Sequence, residues 1–271
     1  MNRRTLRKYK LPDSSGVYLF KKGKEILYIG RASSLKSRIS SYFGKDLAKR
    51  RGFRLVEMVV KASKLSFNIT DTTLEAIILE AALIKKHQPY YNAREKDDKS
   101  FLYITITKED FPRVLLARNV GDYGPFTDAH AIRVGLKIVR KIFPFRDNCS
   151  PEGKACFYSQ IGLCPGVCSG LMSKKDYAQN IKNIRELFSG RKTSLIIRLK
   201  KMMGRFVSMH KFEQAARFRN NIFALKHIND IALMNEEPMA STVRIEAYDI
   251  SHLGGLATVG CMAVVENGKL E

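Results

Sequence analysis

The apolar positions at the start of this chain come in short runs. Residues 16–20 and 26–29 are apolar and flank Lys21-Lys22-Gly23-Lys24-Glu25, which is a β-hairpin signal with Gly23 free to take a positive φ. Ser33 to Phe43 reads as a helix. Leu35 and Ile39 stand four apart on its core face, with Arg38 and Tyr42 four apart beside them. Residues 53–70 read as helix then strand. Thr72-Thr73-Leu74-Glu75 is a capping box that opens a helix running to about His87, where Pro89 stops it. Residues 102–107 and 113–117 have the look of two further strands.

From Phe143 to Cys168 periodicity fades and Pro, Gly and Cys become frequent, which marks a linker-like module. Lys174 to Met234 returns to charged, amphipathic helical spacing, broken by Glu236-Glu237-Pro238. Residues 243–248 alternate like a strand, 257–265 read as a second, and Asn267-Gly268 is a hairpin turn pair. A third domain is expected to begin near residue 242, with most of it missing. The expected class is therefore α+β and multidomain. A small antiparallel sheet flanked by helices occupies 1–98, a Cys-rich linker domain 99–196, a helical hairpin 197–235 and a truncated set of strands 242–271.

Charge changes this picture. The formal net charge is +22 over 271 residues. Residues 1–60 hold 16 Lys/Arg against 4 Asp/Glu, whereas 235–271 hold 2 against 6. A basic end of that kind faces a polyanion, and nucleic acid is the first reading. A membrane surface is the competing reading, but no long amphipathic basic helix supports it. No apolar run approaches the ~18 residues needed to span a bilayer, and Met1-Asn2-Arg3-Arg4 leads into no apolar stretch, so a cytoplasmic protein without a membrane partner is expected.

Glu80 is the first candidate for chemistry. Its helix face carries Ala76, Ile77, Leu83 and Ile84, so the carboxylate projects from an apolar stripe. Burial is costly there unless the group is paired or binds a metal. A salt bridge to a nearby Lys or Arg and a metal site are both open on helix geometry. Tyr18 and Tyr28 lie on one hairpin with Gly30, which permits close approach of backbone or substrate. Arg38 follows on the next helix. Any one of these is ordinary; together they supply what phosphodiester cleavage needs, namely an activated water, charge relief and leaving-group stabilisation.

Cys149, Cys156, Cys164 and Cys168 fall within twenty residues with gaps of six, seven and three. In a reducing compartment that density reads as a metal site. Zinc prefers two tight pairs, of which only Cys164/Cys168 qualifies, and the wider early gaps suit a [4Fe–4S] cluster as well or better. Cys261 stands apart and reads as a core thiol.

Gly16-Val17-Tyr18, Tyr28-Ile29-Gly30, Arg38, Tyr42, Glu80 and Asn92, in that order, resemble the GIY-YIG nuclease family. More closely they resemble its UvrC branch, the incision subunits of bacterial nucleotide excision repair. Tyr28-Ile29-Gly30-Arg31-Ala32, Ile78-Leu79-Glu80, Pro89-Tyr90-Tyr91-Asn92 and Asp97-Asp98-Lys99-Ser100 all fit, and the resemblance covers essentially the whole chain. It implies that Glu80 holds one Mg²⁺ or Mn²⁺, that Tyr18 or Tyr28 helps activate water, that Arg38 and Tyr42 bind the scissile phosphate, and that Asn92 positions the site. Arg31 and Lys36 are expected to contact DNA. Arg31 stands where the family usually has Lys, exchanging a point charge for a planar fork. For the four cysteines the resemblance implies an iron–sulfur cluster.

Residues 211–219 are similar to the UVR motif, a helical hairpin that pairs with UvrB. Phe212, Glu213, Ala216 and Arg217 are the expected partner contacts, and Phe212, Ala215, Ala216 and Phe223 form an expected apolar stripe with Leu225 nearby. Asn220 replaces the usual Asp. Asp249-Ile250-Ser251-His252 resembles the start of the family's second, RNase H-like nuclease, with Asp249 as a first metal carboxylate at a strand end. The expected function is incision on the 3′ side of a lesion in double-stranded DNA after recruitment by UvrB. The alternatives are a stand-alone GIY-YIG endonuclease and a non-catalytic DNA- or partner-binding module.

Overall fold

Gly16–Lys22 (β1) and Glu25–Ala32 (β2) form the expected antiparallel hairpin, turning at Gly23 with φ 59°. The structure is a computed structural model and describes residues 1, 3–6, 8–44, 47–93, 101–151, 153–227, 244–253, 257–266 and 269–270. The Asp97-Asp98-Lys99-Ser100, Glu236-Glu237-Pro238 and Asn267-Gly268 segments lie outside them. The chain divides into two units, Met1–Leu233 and Met234–Glu271.

In the first unit a four-residue helix, Arg3–Leu6 (α1), precedes the hairpin. Lys64–Ile69 (β3) pairs with the other edge of β1, so the sheet order is β2-β1-β3. Leu35–Ser41 (α2) starts at Ser34, whose side chain accepts from the Ser37 N–H, and is shorter than its apolar spacing suggested. Leu47–Arg51 (α3) and Phe53–Lys61 (α4) follow. Val17–Phe20 are all buried, because β1 is covered on both faces. On one face Tyr18, Phe20, Tyr28 and Ala32 pack with Leu35, Ile39, Tyr42 and Met58. On the other, Val17, Leu19 and Ile29 pack against Ala76 and Ile84. Those last two belong to Thr73–His87 (α5), where the Thr72 side chain accepts from the Glu75 N–H as the capping box requires. The Glu75 carboxylate takes the Asp71 N–H and also meets Lys192 at 2.5 Å. Gln88 ends the helix in the left-handed region ahead of Pro89. The short helix Tyr90–Ala93 (α6) then returns to β2.

Leu102–Ile106 (β4), Val114–Arg118 (β5) and Tyr123–Phe126 (β6) make a second antiparallel sheet in the order β5-β4-β6. The third strand had no clear signal, since Tyr123-Gly124-Pro125-Phe126 lacks alternation. Ala129–Ile142 (α7) follows, capped by Asp128. The cysteine region holds little regular structure beyond Phe157–Gln160 (α8), as its fading periodicity implied. Lys174–Phe188 (α9), Lys192–Ser208 (α10) and Phe212–Lys226 (α11) complete the unit, with α10 and α11 reversing at residues 209–211.

The expected stripe on α11 divides. Ala215, Ile222 and Leu225 are buried, while Phe212 and Phe223 are each 63% exposed. The physical reason is angular: at 3.6 residues per turn, 212, 216 and 223 fall on one side and 215, 222 and 225 on another.

The second unit is Arg244–Leu253 (β7), Ala257–Glu266 (β8) and Lys269–Leu270 (β9) in sequence order. Asp249 lies within β7, opposite Cys261, and not at a strand end. Cys261 is exposed and not a core thiol. Tyr248, Ile250, Val259 and Met262 are exposed too. No helix among the described residues is long and apolar enough to cross a membrane.

Candidate nuclease site and cysteine centre

Strand alternation distributes the candidate residues of β2. Tyr28, Gly30 and Ala32 face the aromatic cluster, and Ile29 and Arg31 face α5. On the aromatic face Gly30 sits directly across from Tyr18. The Tyr18 hydroxyl is 2.8 Å from that of Tyr42, and Arg38 Nε donates to Tyr18 at 3.4 Å. Arg51, which the sequence did not single out, donates to the Tyr42 hydroxyl and lies over its ring, 5.1 Å from the centroid. Burial pushes the Tyr18 phenol well above its ordinary pKa, Tyr42 adds to this, and Arg38 works against it. Tyr18 is therefore a neutral hydroxyl at neutral pH. Tyr28 belongs to the same cluster and is also buried.

On the α5 face Glu80 is buried, and Arg31 Nε stands 3.2 Å from its Oε2. This is the salt bridge that helix geometry left open beside a metal role. The same Oε2 accepts from the Thr127 hydroxyl at 3.1 Å, and Arg31 reaches on to Asp128 Oδ2 at 2.9 Å. Thr127 and Asp128 come from the second sheet and carried no sequence signal, because nothing local links residue 31 or 80 to the β6–α7 corner. The donor chemistry at Glu80 fits Mg²⁺ or Mn²⁺, hard cations that are commonly held by one or two carboxylates plus water and phosphate oxygens.

Asn92 is 2% exposed and its side chain hydrogen-bonds the backbone of β2. Its Oδ1 accepts from the Ile29 N–H at 2.8 Å and its Nδ2 donates to the Ile29 carbonyl at 2.7 Å. The amide therefore takes the place of a fourth strand along the open edge of β2. Lys36 is exposed on α2.

The sulfurs of Cys149, Cys156, Cys164 and Cys168 all lie within 4.8 Å of one another, and those of Cys149 and Cys164 are 3.9 Å apart. This is the only group of three or more candidate metal ligands among the described residues. Four thiolates around one tetrahedral zinc, with Zn–S of about 2.3 Å, fit that spread as it stands. A cluster that puts each thiolate on a different iron fits once the side chains open outward. Burial foremost, with Cys164 beside it, raises the Cys149 thiol, and burial raises Cys164. Burial also works to raise Cys156, but the Ser159 N–H and the neighbouring sulfurs outweigh it and hold that thiol low.

Two buried arginines brace this loop. Arg146 donates to the Cys149 carbonyl at 2.6 Å and pairs with Glu109. Arg140 donates to the Leu163 carbonyl at 2.9 Å and holds Asp147 with both terminal nitrogens. Neither was legible in the sequence, where each is one basic residue among many.

The Glu213 and Arg217 side chains pair on the surface of α11 at 2.8 Å, beside exposed Phe212 and half-buried Ala216. Asp249 is exposed on β7.

Comparison with known proteins bears on both domains. Residues 14–93 match the UvrC-like GIY-YIG domain, and residues 101–187 match the UvrC/Cho excinuclease middle domain. UvrABC system protein C from Acetivibrio thermocellus is 36% identical over 277 residues, covering 96% of this chain and 43% of the relative. The Carboxydothermus hydrogenoformans protein of the same name is 40% identical over 232 residues, covering 80% and 37%, and that from a Cyanothece strain is 39% identical over 231, covering 81% and 37%. The chain thus spans between 37% and 43% of the length of these relatives. Among solved structures, the GIY-YIG N-terminal endonuclease domain of UvrC from Thermotoga maritima, bound to magnesium as its catalytic divalent cation, is 33% identical, covering 34% of this chain and 98% of that one, with a TM-score of 0.30.

Proposed function

The chain belongs to the UvrC family, and on that premise we propose that its first domain is a metal-dependent DNA endonuclease that makes the incision on the 3′ side of a lesion. The observation that carries the reading is the pair of side-chain sets meeting at the Gly30–Arg31 end of β2. One is a phenol–guanidinium set of Tyr18, Tyr42 and Arg38, and the other is a buried carboxylate–guanidinium set of Glu80 and Arg31. Glu80 would hold a Mg²⁺ or Mn²⁺, which when bound supplies charge neutralisation at the phosphate and a more acidic water.

The chain's own residues supply the rest. Arg38 offers its guanidinium to the phosphate as charge-assisted donors. Tyr18 and Tyr28 both bring buried hydroxyls to this face, and the proton exchange with the attacking water falls to one of these two phenols. Asn92 holds the β2 edge in register and so positions Tyr28 and Gly30. Lys36 and the wider positive charge engage neighbouring phosphates, which makes binding strongly salt-dependent.

The four cysteines hold a metal centre that orders residues 149–168. Exposed Phe212 and Phe223 with half-buried Ala216 on the same side, flanked by Glu213 and Arg217, form the docking face for UvrB. Asp249 as the first carboxylate of a second, two-metal nuclease rests on the family resemblance alone. Domain limits of 1–98, 99–196, 197–235 and 242–271 organise these roles, with α10 running across the 196/197 limit so that the helical hairpin starts at Lys192.

The test is incision of a lesion-bearing duplex by this chain with UvrB and Mg²⁺, mapped to the nucleotide on both sides of the lesion. A 3′ cut, lost in Glu80→Ala while DNA binding persists, is the expected result. Cutting that survives Glu80→Ala overturns the assignment.

A further inference from the structure

We infer that Thr127 and Asp128, from the second domain, are positioning residues of the nuclease site, acting through Glu80 and Arg31. The inference rests on the reading of Glu80 as the cation ligand. Four side chains form one network across the two domains. Glu80 Oε2 forms a salt bridge with Arg31 Nε at 3.2 Å and accepts from the Thr127 hydroxyl at 3.1 Å, and Arg31 Nη2 donates to Asp128 Oδ2 at 2.9 Å. Arg31 is 5% exposed, so its guanidinium has few directions in which to turn.

Asp128 divides its carboxylate between two tasks. Oδ1 caps α7 by accepting from the Ala131 N–H at 2.9 Å, which leaves Oδ2 for Arg31. The helix cap therefore fixes the carboxylate, and the carboxylate fixes the fork. A planar guanidinium can serve two carboxylates in two directions, whereas an ammonium on the same strand position offers a single point charge. The second domain thereby draws part of Arg31 away from Glu80.

Geometry gives this a functional sense. Arg31 Nε lies 3.2 Å from Glu80 Oε2, where it competes with a cation for the carboxylate, and Asp128 engages the Nη2 end of the same guanidinium, so the fork is shared and Glu80 is more available to a divalent cation. Groups that orient a metal ligand in this way typically change metal affinity or activity by about 10–100-fold when removed. The nuclease site is then bipartite: its acid helix belongs to the first domain, and two of the residues that orient that acid and its arginine belong to the second.

The experiment is Mn²⁺ binding to the full chain, read by electron paramagnetic resonance of free Mn²⁺, for the parent, Asp128→Asn, Arg31→Lys and the double variant. Asn retains the N-cap, so the fold is kept while the charge is lost. Asp128→Asn is expected to weaken Mn²⁺ binding by about 10-fold, and to do so far less in the Arg31→Lys background. Thr127→Val, which leaves the cap untouched, is expected to weaken binding on its own. Parent-like affinity in both Asp128→Asn and Thr127→Val overturns the inference. So does an equal loss from Asp128→Asn in the two backgrounds, which would make Asp128 a distant charge acting independently of Arg31. Glu80→Gln separates the two levels. If it leaves Mn²⁺ binding intact, the reading of Glu80 fails. If it abolishes binding while Asp128→Asn changes nothing, the inference alone fails.

Discussion

Gly30 lies directly across the ladder from Tyr18, and a Cβ added at Gly30 would stand 2.6 Å from the Tyr18 Cζ and 2.9 Å from the Tyr28 Cε1. The glycine is required here by the closeness of two rings and not by its backbone angles. Gly30→Ala is therefore expected to push the Tyr18 ring aside, break its 2.8 Å bond to Tyr42 and cost about 1–3 kcal/mol as overpacking. Chemical denaturation and incision rate should fall together; a variant as stable and active as the parent would show that the rings need not be held this way.

Asn92 makes two bonds to a single backbone residue, and both are buried. Asn92→Ala leaves the Ile29 N–H and C=O without these partners, at a cost of about 1–3 kcal/mol for each group left unsatisfied. Amide exchange at Ile29 should accelerate by more than at Leu19 on the protected central strand. Equal acceleration at both would mean that the whole sheet loosens and that Asn92 has no local role.

Tyr18 gives a pH dependence with a definite sign. Its folded pKa is raised, chiefly by burial, above the unfolded value of about 10. The neutral hydroxyl is what the fold favours, so its contribution is complete below the unfolded pKa and is lost as pH rises through the folded one. Denaturation of the parent and of Tyr18→Phe at increasing alkaline pH should show the parent losing stability faster. Parallel curves would contradict the burial argument.

Metal removal tests the cysteine centre. Chelation should lower the melting temperature of the chain, and Cys164→Ser should reduce bound metal, whereas Cys261→Ser, on an exposed strand, should not. Elemental analysis decides the species: one zinc per chain follows from the close sulfur spread, and about four irons with a visible charge-transfer band would identify a cluster.

The two faces of α11 predict opposite behaviour. Ile222→Ala, on the buried face, should cost about 2–4 kcal/mol. Phe212→Ser with Phe223→Ser should change stability by less than about 0.5 kcal/mol per site, as surface changes do. The same double variant should weaken UvrB binding by about 10-fold or more. Undiminished affinity would overturn the proposed docking of UvrB on this face.

Local patterns carried much of the fold. The hairpin around Gly23, the Thr72 capping box, the stop before Pro89 and the long helices after Lys174 all follow from spacing and end signals, which act over a few residues. Strand β6 was missed because Tyr123-Gly124-Pro125-Phe126 has no alternation, and it forms as the third strand of a sheet already set by β4 and β5. The expected α11 stripe divides because the helix turns 212 and 223 away from 215 and 222, and only the latter pair meets the rest of the unit.

The candidate site divides along the same line. Tyr18, Tyr28, Arg38, Tyr42, Glu80 and Asn92 are legible as an ordered set of residue types, because their order along the chain is itself the pattern. Residue type alone left Glu80 open between a salt bridge and a metal, and left Asn92 without a stated partner. Only the tertiary structure decided that Arg31 is the group facing Glu80, that Asn92 seals the β2 edge through Ile29, and that Thr127 and Asp128 enter the site from another domain. These pairings join residues 47–97 positions apart. At such distances chain-local propensity has no influence, and the pairing is set by which faces the packed sheets and helices bring together.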